Sequence, residues 1–206
     1  MAKRKSKSKP RKLNIEPAVM TIPVNMTVPF GNSSFTADLS QMASLMNRRF
    51  YRQGLNWAVA GFKVRIVGTG QGSVLAKKLP TTWTFGNSWT KGFKTWQEMN
   101  KKALDEADSV KGRFLDFKIY ADSIHHTAGY GANLRPNDGI ATAVAGEWIP
   151  SEIRVPNGSI TVPFEVVGVG DNYPGAGASG VDAVSLIQGY ANSRSLPDVV
   201  DPNTPA

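Results

Sequence analysis

Hydrophobic and polar residues alternate most clearly over Leu55–Val67, where Phe62, Val64 and Ile66 interleave with Lys63 and Arg65. That period of two predicts a strand with one apolar and one cationic face. Gly68-Thr69-Gly70-Gln71-Gly72 then turns the chain, and Ser73–Leu79 returns as the hairpin partner, ending at Pro80. Gly112–Asp122 predicts a second strong strand, with Phe114, Asp116, Lys118 and Tyr120 alternating against Leu115, Phe117 and Ile119. Trp148–Val155 and Ser159–Val169 predict two more, joined by the turn signal Pro156-Asn157-Gly158. Glu16–Phe30 reads as extended, but Pro23 and Pro29 each remove a ladder donor, which makes it an edge or interrupted strand. Gly31-Asn32-Ser33-Ser34 breaks it.

Two stretches follow the helical period instead. Asp38 or Ser40 caps a short helix running to about Asn47, with Leu39, Met42, Leu45 and Met46 on its apolar face. Trp89, Phe93 and Trp96 are spaced by four and three, the buried stripe of a helix over about Ser88–Glu106. The same region interleaves Lys91 and Lys94 with aromatics, a pattern that also suits stacking and neutralising single-stranded nucleic acid. Asp105, Glu106 and Asp108 close the segment with charge that repels phosphate, so the buried stripe is the preferred reading.

The rest is irregular. Ser123–Ala143 predicts a long loop and Gly170–Gly180 a flexible one, while Asp182–Asn192 suits a short helix or a strand. Five or so strands, one or two helices and no strand-helix-strand rhythm predict an all-β sandwich with helical insertions. The expected organisation is a disordered basic arm over residues 1–14, a folded body over 15–194 and an irregular proline-rich tail over 195–206.

Charge sharpens this division. The chain of 206 residues has 24 basic and 16 acidic groups, a net of +8. Lys3, Arg4, Lys5, Lys7, Lys9, Arg11 and Lys12 carry seven of the positive charges with no acid among them, so the remaining residues are nearly neutral at +1. Such an arm has nothing apolar to bury and its like charges repel, yet it can neutralise phosphates and release counterions. A nuclear-import signal or a solubility tail has the same composition. The body is itself asymmetric, with +9 over residues 48–113 and −6 over 114–206.

Composition excludes more chemistry than it offers. Without cysteine there is no disulfide framework, zinc ribbon or thiol catalysis. No apolar run approaches a membrane span and no signal-peptide stretch is evident, so a soluble, intracellularly made protein is expected. The glycines at 68–72 are followed by Val74-Leu75 and a lysine pair rather than a helix, which argues against a phosphate-binding loop. His125 and His126 are adjacent, with Asp122 three residues earlier and no third ligand apparent; a solvated loop pair is expected there, with no metal and no cofactor. Asp116 and Asp122 lack a partner set for acid–base work, and no serine sits in a nucleophile elbow. A non-enzyme is expected.

Arg48–Phe62, RRFYRQGLNWAVAGF, resembles the arginine- and tyrosine-rich lead into an early strand of capsid proteins from small circular Rep-encoding single-stranded DNA viruses. Thr95–Glu106 and Val184–Pro197 are similar to other segments of that family, as is the MAKRKSKSKPRK arm. The resemblance implies a single jelly roll that self-assembles into an icosahedral shell around the genome. It also implies a virion protein that passes through the host nucleus, with an import receptor engaging the arm. Fewer than eight strands are legible, which departs from the family pattern. The arm together with Arg48, Arg49 and Arg52 is then the expected genome contact. A non-capsid nucleic-acid-binding β protein is the competing expectation.

Overall fold

The computed structural model describes residues 20–28, 33–68, 71–105, 116–144, 148–157 and 160–194. Asp38 starts the first element. Its Oδ1 accepts from the Ser40 N–H at 2.8 Å and the Gln41 N–H at 3.3 Å, capping helix α1 (Leu39–Asn47). Helix α2 (Trp83–Asp105) is longer than its aromatic stripe requires. Trp89, Phe93 and Trp96 face inward as the spacing predicts, their ring centroids 5.9, 5.7 and 5.6 Å from that of Phe117. Two short elements follow where a loop is expected: helix α3 (Ser123–Ala128), capped by Asp122 Oδ1 at 2.9 Å from the His125 N–H, and a 3-10 turn (Tyr130–Ala132).

The strands form a small sheet. β1 (Glu152–Asn157) runs antiparallel to β2 (Ile160–Val167), in register from Glu152 opposite Glu165 to Asn157 opposite Ile160. β3 (Ala183–Ser185) lies parallel to β2 on its other side and runs directly into helix α4 (Leu186–Arg194). The prolines obey the ladder. The Glu165 N–H donates to Asp182 O at 2.8 Å, away from β1. Pro163, two residues earlier, therefore has its missing donor on that same side, where β3 no longer runs. Tyr120 joins the other end of β2, its N–H donating to Val166 O and its C=O accepting from the Gly168 N–H, both at 2.8 Å.

Both faces of this sheet are covered. Phe117, Ile119, Val166 and Leu186 pack under Trp89, Phe93 and Trp96 on one side. Tyr120, Trp148, Val167 and Ala183 form the second core on the other. Helices α2 and α4 approach closely, because Gly92 stands where a Cβ would fall 2.4 Å from Leu186 Cδ2.

The expected all-β jelly-roll sandwich is thus corrected: among the described residues the chain builds four α-helices and one three-stranded sheet, a mixed α/β domain. Alternation defines two faces of a segment but does not supply a partner. The predicted hairpin illustrates this. Residues 55–68 and 71–80 form two legs with neither helix nor ladder among the described residues. Of the strand expected at Gly112–Asp122, residues 112–115 lie outside the described residues, and only Tyr120 bridges to the sheet. Asp182–Asn192, open between strand and helix, is both in succession. The basic arm and the tail at 195–206 lie outside the described residues.

Candidate nucleic-acid interface

Helix α1 ends in a turn that brings two arginines together. Arg48 takes a left-handed conformation, φ 51°, uncommon for a side chain of its size, and its N–H closes on Ser44 O. The chain that follows is pinned back along the helix. Ser44 Oγ accepts from the Tyr51 N–H at 2.9 Å, Ser40 Oγ donates to Arg52 O at 3.1 Å, and Gln53 Oε1 accepts from the Ile119 N–H at 2.8 Å. Gln53 Nε2 also donates to Asp38 Oδ2 at 2.8 Å, tying this stretch to the cap of α1.

Between the pinned stretch and residues 116–118 lies a cavity of about 290 Å³. Arg48, Arg49, Phe50 and Tyr51 line one wall, and Asp116, Lys118 and Trp148 line another, with Gln41, Ser44 and Leu45 from α1 completing it. The Arg49 guanidinium lies 5.9 Å from the Tyr51 ring centroid, and neither Arg48 nor Arg49 is ion-paired among the described residues. Lys118 pairs with Asp116 Oδ2, while its backbone N–H and C=O engage Ser151 Oγ and the Ser151 N–H. Asp116 Oδ1 is buried and has no hydrogen-bond partner among the described residues. With three cations to one carboxylate in its lining, the cavity attracts anions.

The expected contacts divide accordingly. Arg48 and Arg49 share the cavity; Arg52 is exposed and does not line it. Lys3, Arg4, Lys5, Lys7, Lys9, Arg11 and Lys12 lie outside the described residues. Sequence reasoning missed Tyr51, Trp148, Asp116 and Lys118 as a group, although alternation already set Asp116 and Lys118 on the face opposite Phe117 and Ile119. The partner across the gap is supplied by tertiary packing, which alternation does not encode.

The two histidines occupy a different environment from the solvated loop expected for them. His125 and His126 are buried. His125 Nδ1 accepts from the Ala121 N–H at 3.0 Å, so its proton sits on Nε2, 2.6 Å from Asn133 Oδ1. Asn133 Nδ2 in turn donates to Gln41 Oε1 at 3.1 Å. Burial holds the His125 imidazole below its ordinary pKa, against the opposing pull of Asn133 and the Asp122 and Asp38 carboxylates. No cluster of three or more metal-ligating side chains occurs among the described residues. Nor, among those residues, is any helix long and apolar enough to cross a membrane.

No protein-family model, no curated protein and no solved structure matches this chain.

Proposed function

We propose that the chain is a coat subunit: copies of it tile into a closed shell, and the basic arm with Arg48 and Arg49 holds single-stranded nucleic acid inside. One observation carries this reading. The legs at 55–68 and 71–80 are fastened to the body at both ends yet leave large apolar side chains in water. Gln53 and Trp57 anchor the first leg, the Trp57 indole donating to Ser40 Oγ at 3.3 Å, and Leu79 of the second leg packs over Gly168. Between these anchors Phe62 is 75% exposed, Val67 84% and Leu75 78%.

Each such side chain forgoes about 1.5–3 kcal/mol of burial. A cluster of this kind is the mark of an interaction surface. The legs also carry Lys63, Arg65, Lys77 and Lys78 with no acid between them, whereas residues 114–206 hold a net −6. A cationic stretch and an acidic one on the same chain favour copies meeting one another. The capsid-like segments and the arm support the same reading.

Electron microscopy and light scattering of the full chain with a single-stranded oligonucleotide test it. Uniform closed particles are expected, and deletion of residues 1–12 flattens the salt dependence of binding, by about 0.7 in logarithmic slope per lost phosphate contact. Single copies under every salt and oligonucleotide condition would overturn the assembly. Retained oligonucleotide binding by such single copies would then favour the non-capsid binder.

A further inference from the structure

We propose that copies meet head to tail: the turn over 136–143 of one copy docks on the legs 55–68 and 71–80 of its neighbour, with Ile140 as an apolar knob and Asp138 facing the leg cations. This rests on the reading of the chain as a self-assembling subunit, and adds to it the two surfaces that meet.

The turn is held in one conformation by its own hydrogen bonds. Asn137 Oδ1 accepts from the Gly139 N–H at 2.7 Å. Asp138 Oδ1 accepts from the Ile140 and Ala141 N–H groups at 2.9 and 2.8 Å, and the Asp138 N–H donates to Ala141 O at 3.2 Å. At the base the Ala143 N–H donates to Pro136 O at 2.8 Å and Asn137 Nδ2 to Thr142 Oγ1 at 3.0 Å. The Asn137 N–H ties the turn to Pro23 O at 2.8 Å. Gly139, at φ 95°, supplies the left-handed residue that the bend needs. The next position carries an isoleucine, where turns favour small polar residues, and Ile140 is 95% exposed. A lone aliphatic side chain in water is ordinary on a protein surface. Held out at the tip of a turn bonded this heavily, it has little backbone freedom left to lose on docking, which lowers the cost of association.

Charge decides what the knob meets. Asp138 is exposed, and the Ala141 and Ile140 N–H groups hold its carboxyl below its ordinary pKa, so the tip is anionic. Turn against turn brings two such carboxylates together. Leg against leg brings together Lys63, Arg65, Lys77 and Lys78, which have no acid between them. Turn on leg is the pairing in which charges and apolar side chains both find complements, since Phe62 and Leu75 are 75% and 78% exposed. The two surfaces lie on different parts of the chain, so each copy offers one of each. Such a contact continues from copy to copy and closes where its rotation allows.

The chain has no cysteine, so single cysteines report the contact. Ile140→Cys is mixed with Phe62→Cys or with Leu75→Cys, one from each leg, and oxidised under conditions where light scattering shows the wild type associating. A disulfide-linked dimer is expected from a mixture, several-fold above what any variant gives alone. No linked dimer in either mixture, or as much from one variant alone as from its mixture, overturns the contact. Ile140→Ser is expected to raise the concentration needed for association about tenfold or more. Asp138→Asn keeps the capping oxygen without the charge and is expected to raise it about two- to fivefold. Unchanged association by Ile140→Ser overturns the head-to-tail contact while the functional reading stands on closed particles. A wild type that stays single under every condition overturns both.

Discussion

His126 Nε2 lies 2.9 Å from Glu165 Oε2, and the two side chains are 1% and 2% exposed. The contact has ion-pair distance but no hydrogen-bond geometry for either atom. Gly177 lies against the imidazole so closely that a Cβ there would fall 2.5 Å from Nε2. The neighbouring Tyr120 hydroxyl is held well above its usual pKa, first by burial and then by the Glu165 charge. The two polar side chains face each other where both are almost fully buried.

Removing one partner therefore strands the other. Glu165→Ala is expected to lower unfolding free energy by about 3–5 kcal/mol, and His126→Ala by a comparable amount. The double variant Glu165→Leu, His126→Leu is expected to cost less than the sum of the single changes. Urea denaturation followed by tryptophan fluorescence reads all three, and additive costs would show that the two residues act independently.

His125 sets the acid side of the stability curve. Its folded-state pKa is lowered by burial, so the folded state prefers the neutral ring and the unfolded chain takes up the proton more readily. The stabilisation is complete above the ordinary imidazole pKa of about 6.5 and is lost as pH falls from there through the depressed value. The limiting slope is about 1.4 kcal/mol per pH unit for one proton. Denaturation midpoints between pH 8 and 5 are expected to fall more steeply in the wild type than in His125→Gln. Parallel curves would remove His125 from the explanation.

Asp38 joins three parts of the domain through one carboxylate. Oδ1 caps α1, while Oδ2 accepts from the Trp148 indole at 2.6 Å and from Gln53 Nε2 at 2.8 Å. Asp38→Ala removes an N-cap worth about 1 kcal/mol and leaves the donor of a buried tryptophan unmatched at about 1–3 kcal/mol more. Asp38→Asn retains one acceptor oxygen and is expected to recover part of that loss. Thermal melts of the two variants check the order.

The sequence discloses α1 and the inward face of α2 because capping and the helical period are local signals. Asp38, Trp89, Phe93 and Trp96 stand where the pattern puts them. It places Ile160–Val167 and most of Glu152–Asn157 in strands for the same reason. Partners are not local. Asp116 and Lys118 are legible as one face of a segment, yet their apposition to Arg48 and Arg49 depends on Gln53 tying residues 66 positions apart. The histidines are buried rather than solvated because Asn133 and Glu165, which face them there, lie 8 and 39 residues away in sequence. The legs show the converse failure: strong alternation predicts a paired strand, and within one copy no pairing follows among the described residues.

That failure yields the sharpest test of assembly. Phe62, Val64 and Ile66 are 75%, 52% and 57% exposed, so Phe62→Ser, Val64→Ser and Ile66→Ser are each expected to change the unfolding free energy of a single copy by no more than about 0.5 kcal/mol. If those side chains are buried between copies, the triple variant loses about 1.5–3 kcal/mol per residue from each contact and stays small in light scattering at concentrations where the wild type assembles. Lys63→Glu with Arg65→Glu separates the charge contribution, because a subunit that meets an acidic neighbour loses association rate and salt sensitivity before it loses stability. Unfolding of the serine variant would show that the legs belong to the core of a single copy. Undiminished assembly by a folded serine variant would show that copies meet elsewhere.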